Sequence, residues 1–447
     1  MKFLNNNPNR KFRLLEGKDC FLYIYGYTNM HDQEILKQLM QDKFPISIRG
    51  QFAFVFLTEY DWIACVDHLA TTNLFYTQDQ ISPDYFDLKG RTPNKNIQEQ
   101  LDILKTHTVG PETLYKEIKR VEPETYVKNG VIKKYSDILN QPNKEFNVEE
   151  AYSYFEKAVA QVDLTNSNVC LSGGKDSAWI TMFLKHLGYD PKLVHITSPN
   201  KEHSIDDDAC DLYRKECGWD IENYVIDYTG EIEKEDYIFN TFWKDNIFPA
   251  KKHAMKNHSG ITLSGEVSEM QSNKQVFNFY LDNMRGKINN EHLINYCMYS
   301  YYTHGKVNSY PVTSEIWHFP RTEGHQYILD YYNNILDNSQ KPNKYLTFWT
   351  LSFCTARIWH ESQDKDNYWF NLFTDYDVFN YLMNTNNIEN DITDTVRSSR
   401  PFGNMSPKPK LYEIGSKKFS TWSDISWRFK TEGMGIPSKS MFNEEQI

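Results

Sequence analysis

The sequence predicts an α/β protein with two domains, the first rich in antiparallel strands and the second built on a parallel sheet. From Phe12 to about Tyr135 the sequence contains runs rich in aromatic and β-branched residues, whereas from residue 148 onward short apolar runs alternate with helical patterns. A polar stretch that contains one proline, residues 141–147, separates these two patterns. The length of 447 residues also favours two domains, and we place them at residues 1–145 and 146–447.

The first domain is predicted to consist mainly of strands. The runs "CFLYIYGY" (residues 20–27) and "GQFAFVFLTEYDWIACVD" (residues 50–67) are rich in aromatic and β-branched residues, and Glu59–Asp61 is a turn candidate within the second run. In "TYVKNGVIKKY" (residues 125–135), Asn129-Gly130 supplies the pair of positive-φ residues that a tight hairpin turn requires. These features predict an antiparallel sheet.

The second domain is predicted to alternate between helices and strands. An amphipathic helix is expected first, and the later elements follow in the order strand, helix, strand, helix, strand, strand. The segments that carry them are residues 148–162, 168–172, 177–189, 192–199, 206–219, 221–227 and 260–266. The second helix is expected to end near Gly188 and the third before Gly218. From about Asn273 we expect mostly helical structure.

Composition and charge exclude several classes of protein. The formal net charge of -11 argues against a large nucleic-acid-binding surface, which needs clustered positive charge. No signal peptide and no apolar stretch of about 18 residues is present, so we expect a soluble, cytoplasmic protein that does not enter membranes. The seven cysteines form no CxxC pair or zinc-type spacing, and we expect free thiols.

The segment "SGGKDS" at residues 172–177, named here the SGGKDS turn, follows a predicted buried strand and leads into a helix. In a parallel sheet, ligands bind beyond the carboxyl ends of the strands. Gly173 and Gly174 allow the main chain to approach a ligand closely, and the helix N-terminus adds unpaired N–H groups. With the hydroxyl groups of Ser172 and Ser177, the turn is predicted to bind an anion.

The turn differs from a Walker A loop. Lys175 is followed by Asp176 instead of Ser or Thr, and no glycine lies at the required spacing before Gly174. A carboxylate here would repel phosphate unless a cation lay between them, which implies Mg²⁺. The alternative is an ordinary glycine-rich turn in which Asp176 is the helix N-cap.

The segment "SGGKDS" after a buried strand resembles the SGGxDS signature of the PP-loop ATP pyrophosphatase superfamily, which cleaves ATP between its α and β phosphates. This resemblance implies ATP and Mg²⁺ as cofactors. The ATP-binding residues that it implies are Leu171, Ser172, Gly173, Gly174, Lys175, Asp176, Ser177, Thr197, Ser264 and Gly265.

A second segment, "LSGEVSEM" at residues 263–270, looks like the acidic motif LSGEGSDEL of asparagine synthetases within that superfamily. Val267 replaces a glycine and Glu269 replaces an aspartate. The resemblance implies that Asp176 and Glu269 share one metal ion, and that Glu266 takes part in catalysis. Exposed capping residues are the alternative for both glutamates.

Upstream, "GQFAFVFLTEYDWIACVDHLATTNLFYT" and "LYKEIKRVEPETYVKNGVIKKY" resemble the end of the Ntn-type glutaminase domain of asparagine and β-lactam synthetases. A working glutaminase of this class has Cys directly after the initiator Met, but Lys2 stands there, and the first cysteine is Cys20. Only 49 residues precede "GQFAF". We therefore expect the N-terminal domain to be a degenerate, non-catalytic glutaminase-like domain, although an unrecognised hydrolase activity stays open.

Near the C-terminus the resemblance is looser. The segment around Asp375 resembles a stretch near the acceptor pocket of the family, and "MSPKPKLYEIGSKKF" resembles a later segment with an essential lysine. Lys408 or Lys410 would fill that role and neutralise charge that develops during the reaction. Arg397 and Arg400 are further candidates. The alternative for the lysines is a solvated surface position.

Together these resemblances imply an ATP-dependent ligase that forms an amide from a small-molecule carboxylate through an acyl-adenylate. The nitrogen would come from ammonia, from a separate ammonia-supplying subunit or from an amine on the substrate, and a homodimer is compatible with this interpretation. Two alternatives remain open: a PP-loop ligase that modifies a nucleotide or nucleic-acid base, and a degenerate nucleotide-binding scaffold without turnover.

Overall fold

The computed structural model of the chain has a mixed α/β architecture with three sheets. It describes residues 1–6, 11–104, 108–138, 141–172, 174–197, 205–225, 254–255, 257–265, 291, 294, 322–338, 368–385 and 409–419. An antiparallel six-stranded sheet and a small four-stranded sheet form the N-terminal part, and a parallel five-stranded sheet follows them. The predicted combination of an antiparallel and a parallel sheet is therefore confirmed.

The six-stranded sheet has the strand order β10-β9-β5-β4-β3-β2, and all its pairs are antiparallel. Its strands are β2 (Arg13–Gly17), β3 (Cys20–Thr28), β4 (Gly50–Thr58), β5 (Trp62–Val66), β9 (Thr125–Lys128) and β10 (Val131–Lys134). The predicted turn between β4 and β5 and the predicted β9–β10 hairpin are confirmed. Asn129 and Gly130 have φ of 50° and 83°, as the hairpin turn requires.

Strand β4, in the middle of the six-stranded sheet, is buried on both faces, and its side chains alternate between two cores. Phe52, Phe54 and Phe56 pack in the core on the side of helix α1 (Asp32–Met40). Ala53 and Val55 face the opposite core, beside the four-stranded sheet. That sheet has the order β1-β7-β6-β8, with β1 (Lys2–Phe3), β6 (Phe75–Tyr76), β7 (Gln80–Ser82) and β8 (Lys119–Arg120).

The parallel sheet has the order β13-β12-β11-β14-β15, and each of its strand pairs is parallel. Its strands are β11 (Ser167–Cys170), β12 (Lys192–Thr197), β13 (Ile221–Val225), β14 (Ile261–Ser264) and β15 (Tyr368–Asn371). Strands β11 to β14 lie where the sequence predicts them. Strand β15 was not predicted, because its four residues show no periodicity that would separate them from a helix.

Five helices contribute apolar side chains to the core beside the parallel sheet: α3 (Val148–Val159), α4 (Lys175–His186), α5 (Ile205–Cys217), α7 (Tyr376–Met383) and α8 (Pro409–Lys418). The helices α2 (Lys95–Leu104) and α6 (Glu323–Asn338) pack against each other. The rings of Phe155, Trp179, Phe183 and Phe373 contact one another in the core beneath α3 and α4. Helix α3 ends three residues before its predicted end, at Val159.

The two parts of the chain contact each other through buried polar groups. Tyr27 Oη in β3 donates a hydrogen bond of 2.6 Å to Oδ2 of Asp375, and Gln51 Nε2 donates one of 2.7 Å to the carbonyl oxygen of Asn371. Asn147 forms the N-cap of α3 and so begins the second part. The domain division at residue 145 stays a prediction.

Among the described helices, none has the length and apolar character needed to cross a membrane.

Candidate functional site

The order in which the chain adds strands to the parallel sheet reverses between β11 and β14, which lie side by side. From the central strand β11 the chain proceeds through β12 to β13 on one side, whereas β14 and β15 lie on the other side. Ligands of open α/β sheets bind beyond the carboxyl ends of the strands at such a switch point. The SGGKDS turn follows β11 and Gly265 follows β14, so both predicted ATP-binding segments lie at this point.

Ser177 connects the two ends of the SGGKDS turn by hydrogen bonds. The backbone N–H of Ser172 donates to Oγ of Ser177 at 3.2 Å, and the Ser177 hydroxyl lies 3.2 Å from the carbonyl oxygen of Gly174. Ser177 is buried, whereas Ser172 is exposed. Ser177 therefore stabilises the turn from inside, and Ser172 is the hydroxyl that can reach a ligand. Direct contact of Ser177 with ATP stays a prediction.

The N-terminus of α4 is suited to an anion. Its N-cap is Gly174, with φ -74° and ψ 162°, and this residue has no side chain that could take up the first N–H groups of the helix. Asp176 is the second residue of the helix, so the interpretation in which it is the N-cap is wrong. Gly173 and the side chain of Lys175 lie outside the described parts, and their assignments stay predictions.

Gly265 brings the second motif against the first. A Cβ built at Gly265 would lie 3.0 Å from Cβ of Asp176 and 3.4 Å from the backbone N of Ser177. Ser264, the last residue of β14, is buried beside them. The first residues of "LSGEVSEM" thus meet the SGGKDS turn as the resemblance implies. Glu266 and Glu269, like Lys408, Arg397 and Arg400, lie outside the described residues.

The described residues fit a magnesium ion that is bound together with phosphate. Mg²⁺ is usually held by one or two carboxylates, waters and substrate phosphates, and not by a complete cage of protein ligands. Asp176 offers one half-buried carboxylate at the helix N-terminus. Within the described ranges, no group of three or more His, Cys, Asp or Glu side chains could form such a cage. Pairing with Glu269 stays a prediction.

The ends of strands β11 and β12 hold Leu171 and Thr197, two further predicted ATP-binding residues. Thr197 is the last residue of β12 and is half-buried, whereas Leu171 is fully buried.

The carbonyl oxygen of Leu171 lies 2.9 Å from Nδ1 of His195, and Nε2 of the same ring lies 2.8 Å from Oδ1 of Asp207. Sequence reasoning missed this histidine, although a histidine in an otherwise apolar strand was a signal.

Lys410 is not exposed, so the surface alternative is wrong for this residue. Its Nζ donates hydrogen bonds of 2.6 Å and 2.9 Å to the carbonyl oxygens of Leu382 and Thr385, at the end of α7. Burial lowers the pKa of Lys410 to about 7. In this arrangement the amine caps a helix C-terminus, and a catalytic role for Lys410 stays a prediction.

Asp375 and Cys20 are also buried in the fold. Asp375 caps α7 by accepting from the backbone N–H groups of Asp377 and Val378, and burial raises the pKa of Asp375. Cys20 lies in the core beneath α1, and burial raises the pKa of its thiol. A buried thiol with a raised pKa is a poor nucleophile, so Cys20 does not replace the cysteine that a glutaminase needs.

The sequence matches no known protein-family profile, and no functionally curated protein matches it. Among solved structures, the chain is similar to the glutamine phosphoribosylpyrophosphate (PRPP) amidotransferase from B. subtilis complexed with ADP and GMP, with 11% identity and a TM-score of 0.17. The match covers 59% of this chain and 60% of the amidotransferase chain. A likeness this weak supports no inference about the activity of this chain.

Proposed function

We propose that the chain is an ATP-dependent amide-forming ligase that activates a carboxylate as an acyl-adenylate and releases pyrophosphate. The observation that carries this proposal is the meeting of Asp176 and Gly265 at the switch point of the parallel sheet. An exposed hydroxyl, an uncapped helix N-terminus and a half-buried carboxylate surround this point. That combination suits a polyphosphate bound with a divalent cation.

In the proposed reaction, a carboxylate oxygen of the substrate attacks the α-phosphorus of ATP, and the bond to the bridging oxygen of the β-phosphate breaks. Pyrophosphate leaves, and an acyl-adenylate remains. An amine then attacks the acyl carbon and loses a proton, while AMP leaves with the electron pair of the carbon–oxygen bond. The acceptor is a small molecule.

The described residues would act on the leaving pyrophosphate. The first N–H groups of α4 and the hydroxyl of Ser172 would donate to its oxygens, and Gly174 would let the main chain come close. When bound, Mg²⁺ would neutralise part of the negative charge, with Asp176 as a ligand. Orientation of reactants in such a site can contribute roughly 7–11 kcal/mol to lowering the barrier.

A pyrophosphate-release assay tests this proposal. The purified chain is incubated with ATP, Mg²⁺ and a pool of small carboxylates and amines, and any adenylated species is identified by mass. Asp176→Asn should abolish the Mg²⁺-dependent release. Asp190→Asn is the matched control, since this exposed carboxylate pairs with Lys185 near the opposite end of α4. Equal turnover of the two variants would show that the site is misassigned.

The same assay separates the alternatives. ATP binding without pyrophosphate release would favour the nucleotide-binding scaffold, and release that requires a nucleoside or RNA acceptor would favour a base-modifying ligase. Ammonium salts should support amide formation, whereas glutamine should not, because the buried Cys20 cannot serve as the nucleophile. Release of glutamate from glutamine by the purified chain would contradict this part of the proposal.

A further inference from the structure

We propose that His195, held by Asp207, is a positioning residue that fixes the end of strand β11 and so sets the shape of the SGGKDS turn. Its role in ATP binding rests on the proposed function. No motif in the sequence marks His195, and no part of the resemblance includes it.

The geometry around the ring is tightly defined. His195 lies in β12 and its side chain is only 3% exposed. Nδ1 lies 2.9 Å from the carbonyl oxygen of Leu171, which is the residue directly before Ser172. Nε2 lies 2.8 Å from Oδ1 of Asp207 in α5. The ring therefore connects three elements: the end of β11, strand β12 and helix α5.

Both ring nitrogens face hydrogen-bond acceptors. A carbonyl oxygen only accepts, so Nδ1 must carry a hydrogen to form a favourable contact with Leu171. Nε2 makes the second contact of the ring, with the carboxyl group of Asp207. Asp207 therefore holds the ring in the orientation that directs Nδ1 at Leu171. On the other side of β12, the residue paired with His195 in β13 is Asn223, which is uncharged.

The bond to Leu171 matters because of its place in the chain. The backbone N–H of Leu171 donates to the carbonyl oxygen of Val194 at 2.8 Å. Together with the contact of His195 at the Leu171 carbonyl oxygen, this bond attaches both backbone polar groups of Leu171 to β12. Ser172 follows directly, and its backbone N–H donates to Ser177 Oγ. Loss of the His195 bond would free the peptide group that leads into the turn and would leave a buried carbonyl group without its side-chain donor.

Two substitutions separate the two hydrogen bonds. In His195→Asn, the amide nitrogen takes the position of Nδ1 and can still donate to Leu171, but the bond to Asp207 is lost. In His195→Gln, the amide nitrogen takes the position of Nε2 and can still donate to Asp207, but the bond to Leu171 is lost. Thermal unfolding of both variants checks that each one is folded.

Isothermal titration calorimetry with Mg²⁺ and a non-hydrolysable ATP analogue measures the effect on the site. We expect His195→Asn to bind within about threefold of the unaltered chain, and His195→Gln to bind about tenfold more weakly, as expected for the loss of one buried hydrogen bond. Equal losses in both variants, or the reverse order, would overturn the inference. If the unaltered chain binds no ATP analogue, the proposed function fails instead.

Hydrogen exchange gives a second readout that needs no nucleotide. The backbone amide hydrogen of Ser172, which is bonded to Ser177 Oγ, should exchange faster in His195→Gln than in His195→Asn, because only the former releases the Leu171 peptide. The ¹⁵N spectrum of the unaltered chain should show a hydrogen on Nδ1 of His195, the nitrogen that faces Leu171. Identical exchange in the two variants, or an Nδ1 that carries no hydrogen, would overturn the positioning role whatever the outcome with ATP.

Discussion

Gly265 packs directly on the first turn of α4, because a Cβ at this position would come within 3.0 Å of Cβ of Asp176. A contact this short is tighter than ordinary van der Waals packing. The nearest atoms belong to Asp176 and to the backbone N of Ser177, so a side chain could be accommodated only if the helix start moved. The glycine therefore permits the close approach of β14 to the SGGKDS turn.

A graded series at Gly265 tests this relationship. Gly265→Ala should displace the start of α4 slightly and weaken binding of the Mg²⁺–ATP analogue about tenfold, and Gly265→Val should weaken it further, since displacement misaligns the N–H groups that bind phosphate. Calorimetry gives the affinities and thermal unfolding gives the stability. Equal affinity across glycine, alanine and valine would contradict a role for this contact.

Much of this region could be predicted from sequence because its signals are local. The alternation of apolar runs with helical patterns predicted strands β11 to β14 and helices α3 to α5, and the Asn129-Gly130 pair predicted the β9–β10 hairpin. The position of the SGGKDS turn at a strand-to-helix junction follows from the same local pattern. Its nearness to Gly265 was expected from the resemblance.

Other features depend on contacts between distant parts of the chain, which local patterns do not contain. Strand β15 pairs with β14 across a long intervening segment, and its short apolar run has no distinctive period. The ring of His195 connects an adjacent strand and a helix, which requires the three-dimensional arrangement. The sequence left a surface position open for Lys410, but its amine is buried and donates to carbonyl groups at the end of α7, a contact between distant parts of the chain.

The hydrogen bond between Tyr27 and Asp375 should stabilise the contact between the two parts of the chain. In Tyr27→Phe, the buried carboxylate of Asp375 loses a donor at 2.6 Å, so we expect the free energy of unfolding to fall by about 1–3 kcal/mol. Urea denaturation measures this change. Tyr60→Phe is the matched control, because Tyr60 is 85% exposed. A loss of similar size in both variants would argue against the bond.

His68 should make stability depend on pH. Its side chain is buried against the rings of Tyr376 and Phe379, neither ring nitrogen has a hydrogen-bond partner in the described residues, and burial lowers the pKa of His68 to about 3. The unfolded chain, with the ordinary histidine pKa of about 6.5, then binds more protons than the folded chain between about pH 3 and about pH 6.5. Stability therefore falls as the pH is lowered through this range.

His68→Phe removes this titration. From about pH 7 to about pH 5, the unaltered chain should lose about 2 kcal/mol more of its free energy of unfolding than the variant does. Urea denaturation at the two pH values measures the difference. His31→Phe is the control for the substitution itself, since it replaces an exposed histidine and keeps the buried His68. If the free energy of unfolding fell equally in the unaltered chain and in His68→Phe between these pH values, His68 would have to be protonated in the folded state.

Lys410 can be tested for a capping role against a catalytic role. In Lys410→Met, the apolar stem is kept, but the carbonyl groups of Leu382 and Thr385 lose their buried donor, so the free energy of unfolding should fall by about 2 kcal/mol. Pyrophosphate release, measured where the variant is still folded, should change by less than about threefold, whereas loss of a group that stabilises developing charge costs about 100-fold or more. Lys417→Met is the control, because Lys417 lies on the exposed face of α8 and pairs with Glu413. A stable Lys410→Met variant that cannot release pyrophosphate would support the catalytic role that the resemblance implies, since the amine would then have to leave its helix-capping position during the reaction.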